Sequence, residues 1–238
     1  MDKIFLNDLF ETLEKDNVNY LVLRGYEGLP EKVSNDIDFS VKNENELNLF
    51  FKVIHKLSKK YNYTISRDVV RAGLLKVLLN FGNEILKIDV FCSFEYAGLE
   101  YMNSIELHKT KRKLSSGISV PGLNYELAIS LLKEILHNSR IRKDKVSLLR
   151  KQYDKETFKI PFCQYFSENN IKDLSDSLFL GEKLTFKRVS LNFRAVLFFT
   201  NVKQKGVLKT FLNTIDFFWI KYKNQKRYDY VILIAQGN

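Results

Sequence analysis

The sequence has few of the residues on which disulfide-rich and zinc-binding proteins depend. Its 238 residues include only two cysteines and three histidines. Cys92 and Cys163 lie in unrelated contexts, which argues against a disulfide framework or a cysteine zinc site and favours a reducing compartment. The histidines, His55, His108 and His137, lack metal-ligand spacing. Each is interpreted as a surface or partly packed side chain.

Long apolar runs are also missing. No stretch of the sequence approaches the roughly 20 apolar residues that a membrane-spanning helix needs. Residues 1–8 combine acidic side chains with an apolar stretch that is too short for a signal peptide. We therefore expect a cytoplasmic protein without a transmembrane segment. The 45% hydrophobic content is sufficient for one large or two small folded domains.

Positive charge is concentrated in the second part of the chain. Residues 1–100 hold 13 Lys and Arg against 16 Asp and Glu, and residues 101–238 hold 25 against 12, so the two parts carry net charges of −3 and +13. This asymmetry favours an anionic partner for the second part: a nucleoside triphosphate, a nucleic acid, an acidic glycan intermediate or an anionic membrane surface. The alternative is that these side chains only solvate helices.

Hydrophobic periodicity predicts the order α-β-β-α-β-β-β for the first hundred residues. The predicted strands after the second helix cover residues 61–70, 74–81 and 85–91. A basic, turn-rich stretch then precedes a predicted helix over 123–137, and we place a domain boundary between 1–115 and 116–238.

The second part is predicted to be mainly helical. Its aromatic-rich residues 211–222 could stack bases or lie on a membrane, but core packing is the preferred interpretation. Residues 228–238 are interpreted as a buried strand that stops at a glycine.

A pair of aspartates, Asp36 and Asp38, follows a predicted strand and a glycine turn. Because a strand turns successive side chains to opposite faces, both carboxylates should project to one side, with Ile37 and Phe39 on the other. Carboxylate oxygens suit a hard cation such as Mg²⁺, which shares its coordination sphere with substrate phosphates. Asp89 lies in another, otherwise apolar strand, where an isolated charge is costly unless it is paired or metal-bound. Three carboxylates and two cations suit phosphoryl or nucleotidyl transfer.

The turn at Gly25 after a strand, the motif Asp36-Ile-Asp38 and the single Asp89 on a later strand together resemble the DNA polymerase β-like nucleotidyltransferase superfamily. The resemblance covers roughly residues 1–95, and residues 23–30 are similar to a branch associated with bacterial surface-polysaccharide biosynthesis. It implies an α+β fold with a nucleotidyltransferase-type mixed β-sheet and flanking helices, followed by a basic, mainly helical domain. The nucleotide cleft would lie between the two domains.

The resemblance also implies roles for individual residues. Asp36, Asp38 and Asp89 would hold Mg²⁺ or Mn²⁺ against the triphosphate of a nucleotide such as ATP, and Asp89 would also be catalytic by helping to activate the acceptor hydroxyl. Gly25 would let backbone N–H groups approach the phosphates. Four cations would clamp the nucleotide: Arg24, Lys76, Lys87 and Lys133.

The implied reaction is Mg²⁺-dependent transfer of a nucleoside monophosphate from a nucleoside triphosphate to a small-molecule acceptor, such as a sugar or glycan precursor. The chain departs from the family at Tyr26, where the turn usually has serine or glycine, and this bulky side chain is expected to alter or occlude the phosphate cradle. The departure keeps a second interpretation open: a non-catalytic module that binds a nucleotide, a nucleic acid or a biosynthetic partner. Nucleic-acid binding is the less favoured form. The oligomeric state is not predicted.

Overall fold

The computed structural model describes residues 3–32, 36–71, 73–82, 84–138, 161–162, 165–172 and 183–235. Cys163 therefore lies outside the described residues. The described chain is an α+β structure built on a mixed five-stranded sheet, which confirms the predicted fold class at this level. None of its described helices is long and apolar enough to cross a membrane.

The elements of the first ninety residues have the predicted order. They are helix α1 (Lys3–Lys15), strands β1 (Tyr20–Arg24) and β2 (Asp36–Val41), helix α2 (Glu44–Tyr61), and strands β3 (Thr64–Arg71), β4 (Leu74–Phe81) and β5 (Glu84–Phe91). Short elements follow: the hairpin β6 (Phe94–Tyr96) and β7 (Leu99–Met102), helix α3 (Ser104–Lys109), and the pair β8 (Arg112–Lys113) and β9 (Ser119–Val120).

The remainder of the described chain is mainly helical. Helix α4 (Leu123–Lys133) continues as a π-helical turn (Glu134–Asn138), which confirms the predicted helix over 123–137. Helices α5 (Lys183–Lys205) and α6 (Val207–Ala235) follow. The strand predicted at 228–238 is wrong for residues 228–235, because α6 continues through them. A short apolar run does not distinguish a strand from a helix by periodicity, and this run joins a helix that begins well before it.

Two asparagines explain the bounds of α2. The side chain of Asn43 accepts a hydrogen bond from the backbone N–H of Glu46 at 3.0 Å, which is typical of a helix N-cap. At the other end, Asn62 adopts the left-handed conformation with φ 57° and donates its N–H to carbonyls of the last turn. The sequence signals for both ends are therefore local.

The sheet has the strand order β1-β2-β5-β4-β3. Strands β2 and β5 are parallel, and the other neighbours are antiparallel. The register aligns one residue from each of four strands in a row: Arg24 opposite Asp38, Asp38 opposite Asp89, and Asp89 opposite Lys76. Directly paired residues present their side chains to the same face of a sheet. The row is therefore a charged line across that face.

The sheet separates two hydrophobic cores. The first core packs α1 and α2 on one face and includes Ile37 and Phe39 of β2, together with Ile88 and Val90 of β5. The second core joins the other side of β1 to the β6–β7 hairpin, α4 and α5. The predicted alternation of β2 and β5 is thus confirmed for the apolar residues. The charged row lies on the face opposite the first core.

Candidate functional site

A cavity of about 230 Å³ lies over the charged row. Five of the predicted site residues line it: Arg24, Asp38, Lys76, Asp89 and Lys133. The strands supply the first four, and α4 supplies Lys133 from another wall. Three predicted residues, Gly25, Asp36 and Lys87, are not among the lining residues.

Two neighbouring carboxylates form the acidic centre of the site. Asp38 and Asp89 are paired across the parallel strands β2 and β5, and they are only 5% and 7% exposed. Asp36 precedes Asp38 by two residues in β2, which is one repeat of the strand, and its side chain is 42% exposed. Like charges that lie directly opposite each other in a sheet are destabilising. The pair therefore needs positive charge nearby.

Two basic side chains beside the aspartates, Arg24 and Lys87, provide this charge. Arg24 Nε forms a close ion pair with Asp38 Oδ2, and Arg24 Nη2 lies 3.3 Å from Asp36 Oδ2. Lys87 Nζ lies 3.2 Å from Asp89 Oδ2. Arg24 and Lys87 thus bind the aspartates in this structure.

One oxygen of the acidic centre has no such partner. Asp89 Oδ1 is buried and has no hydrogen-bond partner among the described residues. A buried carboxylate oxygen without a partner carries a large desolvation cost, and Mg²⁺ and Mn²⁺ prefer ligands of this type. Asp38 and Asp89 therefore fit a divalent cation that would take its remaining ligands from substrate and water. The described residues contain no group of three or more His, Cys, Asp or Glu side chains arranged for a metal ion.

Gly25 has the backbone conformation that its predicted role requires. Its φ is 69°, in the left-handed region that side chains other than glycine rarely adopt. This conformation turns the chain sharply just after Arg24.

The expected occlusion of the cradle by Tyr26 is not observed. Its hydroxyl donates a 2.6 Å hydrogen bond to Glu126 Oε2 and accepts a 3.0 Å bond from Arg112 Nη2. Burial, followed by the bond to Glu126, raises the pKa of Tyr26 well above its usual range. Burial also raises the pKa of Glu126. The phenol is held against α4 and does not line the cavity.

Polar residues that were not predicted from the sequence also line the cavity, among them Glu95, Ser130 and His137. His137 lies in the π-helical turn, a conformation that is frequent at functional sites, and its ring packs edge-on against Tyr96 at 5.2 Å. The sequence nevertheless contains a signal for His137. Lys133 and His137 are four residues apart in a predicted helix, so they share one face. If Lys133 faces the nucleotide, His137 should face it as well.

The cavity thus combines two adjacent buried carboxylates, a buried oxygen without a described partner, and lysines on separate walls. This arrangement can bind a cation and an anion side by side. Comparison with known proteins adds no relative from which a role could be transferred: no family model, curated protein or solved structure matches the chain.

Proposed function

We propose that this protein is a Mg²⁺- or Mn²⁺-dependent nucleotidyltransferase, which moves a nucleoside monophosphate from a nucleoside triphosphate to a hydroxyl of a small acceptor. One observation carries the proposal: Asp38 and Asp89 are neighbours at a cavity that also contains Lys76 and Lys133. We also propose that the sheet is of the nucleotidyltransferase type and that the nucleotide cleft lies between two domains.

The protein groups have distinct tasks in this reaction. Asp38 and Asp89 would hold the divalent ion, and Asp36 would join them if Arg24, which pairs with it in this structure, bound the phosphates instead. Lys76 and Lys133 bind triphosphate oxygens as compact charges. The bound metal supplies neutralisation of the triphosphate charge.

The carboxylate of Asp89 helps to activate the acceptor hydroxyl and takes up its proton as the hydroxyl oxygen forms a bond to the α-phosphorus. The bond from the α-phosphorus to the bridging oxygen breaks, and pyrophosphate leaves. Apolar side chains such as Phe94 and Ile129 also line this cavity.

The acceptor is proposed to be a sugar or glycan precursor. The proposal rests on the resemblance of residues 23–30 to the surface-polysaccharide branch. Ser130, His137 and Glu95 add polar side chains to the cavity wall, which suits a ligand with several hydroxyl groups.

Thermal denaturation with each nucleoside triphosphate, with and without Mg²⁺, tests this function. A ligand that binds only the folded state raises its apparent stability, so we expect a higher Tm when nucleotide and Mg²⁺ are both present. Asp38→Asn and Asp89→Asn should each abolish the increase. Glu11→Gln, on the exposed side of α1, is the control that removes one negative charge elsewhere. The proposal fails if calorimetry of the wild-type protein detects no Mg²⁺-dependent nucleotide binding.

The structure also favours a second candidate, a non-catalytic module that binds an anionic ligand or partner. Arg24 pairs with both Asp36 and Asp38, so these carboxylates already have an internal cation. Such a module would bind nucleotide in the presence of a chelator and after Asp38→Asn. An enzyme would lose binding in both cases and would release pyrophosphate from the triphosphate when metal and acceptor are supplied.

A further inference from the structure

Helix α6 packs on the rest of the molecule through a face that includes both polar and apolar residues. Thr210 is only 1% exposed, and Asn213, Thr214 and Phe217 are partly buried. The backbone of Asn213 lies against Gly98 in the turn between β6 and β7, so close that a Cβ on Gly98 would be 2.3 Å from the Asn213 carbonyl oxygen. Most of the residues on the inward face of this part of α6 are therefore polar.

The outward face of α6 is apolar. Its large side chains are between 47% and 72% exposed, and they recur at helical spacing: Leu208, Phe211, Leu212, Ile215, Phe218, Trp219 and Tyr222. We call these seven residues the α6 stripe. The interpretation of 211–222 as core is wrong for the six stripe residues in that range, because periodicity reveals an amphipathic helix without showing which face docks. Contiguous exposed apolar surface of this kind marks an interaction site.

The charge around the α6 stripe indicates what covers it. Residues 203–235 contain seven Lys and Arg and two Asp, a net charge of +5, and one of these cations, Lys205, is paired with Glu100 at 2.7 Å. Lys203 and Lys209 are exposed. A symmetric dimer through the stripe would bring two such segments together, and the like charges would repel. An anionic partner is favoured instead.

The side chains of the α6 stripe favour lipid over nucleic acid. Leu208, Leu212 and Ile215 have no ring on which a base could stack. A basic helix that exposes Trp, Phe and Leu on one face is typical of segments that lie in the interface of an anionic bilayer. We propose that the α6 stripe is a membrane-binding face, which enters the headgroup region of an anionic lipid bilayer without crossing it. This proposal does not depend on the function of the cavity.

The chain has a natural reporter for this interaction. Trp219 is its only tryptophan and lies in the α6 stripe, 56% exposed. When the full chain is mixed with phosphatidylcholine vesicles that contain phosphatidylserine, we expect a blue shift of Trp219 emission and quenching by brominated acyl chains. Both effects should weaken with added salt, because salt screens the attraction between lysines and the bilayer surface.

A double variant tests the apolar contribution. Phe211→Ser with Phe218→Ser should reduce vesicle partitioning by about tenfold or more, because each buried side chain of this size contributes a large transfer free energy. Ile85→Ser removes an equally exposed apolar side chain from β5 and should leave partitioning unchanged. Circular dichroism checks that each variant is folded.

Three results would overturn the proposal. The first is a wild-type protein whose emission does not change with anionic vesicles or changes equally with pure phosphatidylcholine vesicles. The second is a blue shift that depends on protein concentration without lipid, together with a dimer mass by light scattering. The third is an emission change with a single-stranded oligonucleotide but not with vesicles.

Discussion

Polar residues are concentrated on one face of β2. Asp38 and Ser40 are both buried, and Ser40 Oγ lies 3.3 Å from His108 Nε2 of α3. A sheet face that buries charged side chains lowers the free energy of unfolding compared with a face that buries apolar side chains. Natural proteins retain such choices mainly where function requires them. At the scale of single residues, stability and function should therefore respond in opposite directions.

Replacement of Asp89 by asparagine is predicted to stabilise the folded protein in the absence of divalent ions. Asp89→Asn removes one of two adjacent buried charges and keeps the size of the side chain, so the free energy of unfolding should rise by about 1 kcal/mol. Urea denaturation in the presence of a chelator measures the change. The control Asp36→Asn alters a half-exposed carboxylate and should change stability by less than about 0.5 kcal/mol. A clear loss of stability in Asp89→Asn would contradict the prediction.

His108 is predicted to make stability fall in acid. Burial, reinforced by the charges of Lys42 and Lys111, lowers the pKa of His108 to about 3, against an ordinary value of 6.5. Between these two values the unfolded chain binds a proton that the folded chain does not. Stability is then lost as pH falls below the unfolded value, by on the order of 2 kcal/mol from about pH 7 to about pH 5.

Urea denaturation across this pH range measures the effect of His108. The variant His108→Gln cannot titrate, so its free energy of unfolding should vary with pH by correspondingly less than that of the wild type. His55→Gln, on the outer side of α2, is the matched control and should keep the wild-type dependence. Equal slopes for His108→Gln and the wild type would show that other groups dominate the acid response.

At the scale of elements, the position of α6 depends on a glycine in a neighbouring hairpin. Gly98 has φ 78°, and a Cβ there would also lie 2.7 Å from the carbonyl carbon of Asn213. Both atoms of Asn213 belong to the backbone, so rotation of a side chain cannot relieve the contact. The close approach of β6–β7 to α6 therefore requires glycine.

Gly98→Ala is predicted to lower the free energy of unfolding by about 2 kcal/mol or more, because it combines backbone strain with a steric clash. Gly117→Ala is the matched control: Gly117 has φ 82°, but nothing lies within 4 Å of its added Cβ. Gly117→Ala should lower the free energy of unfolding by only about 1 kcal/mol, because it imposes the backbone strain without a clash. Denaturation of both variants measures the difference, and equal losses would mean that α6 does not pack closely on this turn.

At the scale of the whole molecule, the site depends on how the two cores are joined. Strand β1 contributes Val22 to the first core and Leu21 and Leu23 to the second. Just beyond β1, the hydrogen bond from Tyr26 to Glu126 ties the turn at Gly25 to α4. Because β1 ends at Arg24 and α4 carries Lys133, this bond ties together two elements that line the cavity.

A double-mutant cycle with Tyr26→Phe and Glu126→Gln should show a coupling energy of about 1–2 kcal/mol, as expected for a buried hydrogen bond to a charged group. Urea denaturation of the single and double variants measures it. Tyr125→Phe, the neighbouring tyrosine on α4, combined with Glu126→Gln should show less than about 0.5 kcal/mol of coupling. Additive effects of Tyr26→Phe and Glu126→Gln would mean that the bond does not join the two elements in solution.

Local signals were sufficient for much of the architecture but for less of the site. The apolar repeats predicted the order of elements from α1 to β5, and the glycine turn and the aspartates marked the residues around the cavity. Occlusion of the cavity by Tyr26 is not observed, because a glycine turn does not fix the direction of the next side chain, and this one is bonded to Glu126, a hundred residues later. That Tyr26 alters the phosphate cradle stays a prediction. His137 was not predicted as a cavity residue, although its spacing of four residues from Lys133 in a predicted helix places the two side chains on one face.

The sequence by itself determined which residues of β2 and β5 face the first core, because alternation along a strand is a local property. Only the tertiary structure decided that Asp38 and Asp89 are paired, that Arg24 binds Asp36 and Asp38, and that α6 presents its apolar side to solvent. These features depend on strand order and on contacts between distant segments. Periodicity within one segment carries no information about either.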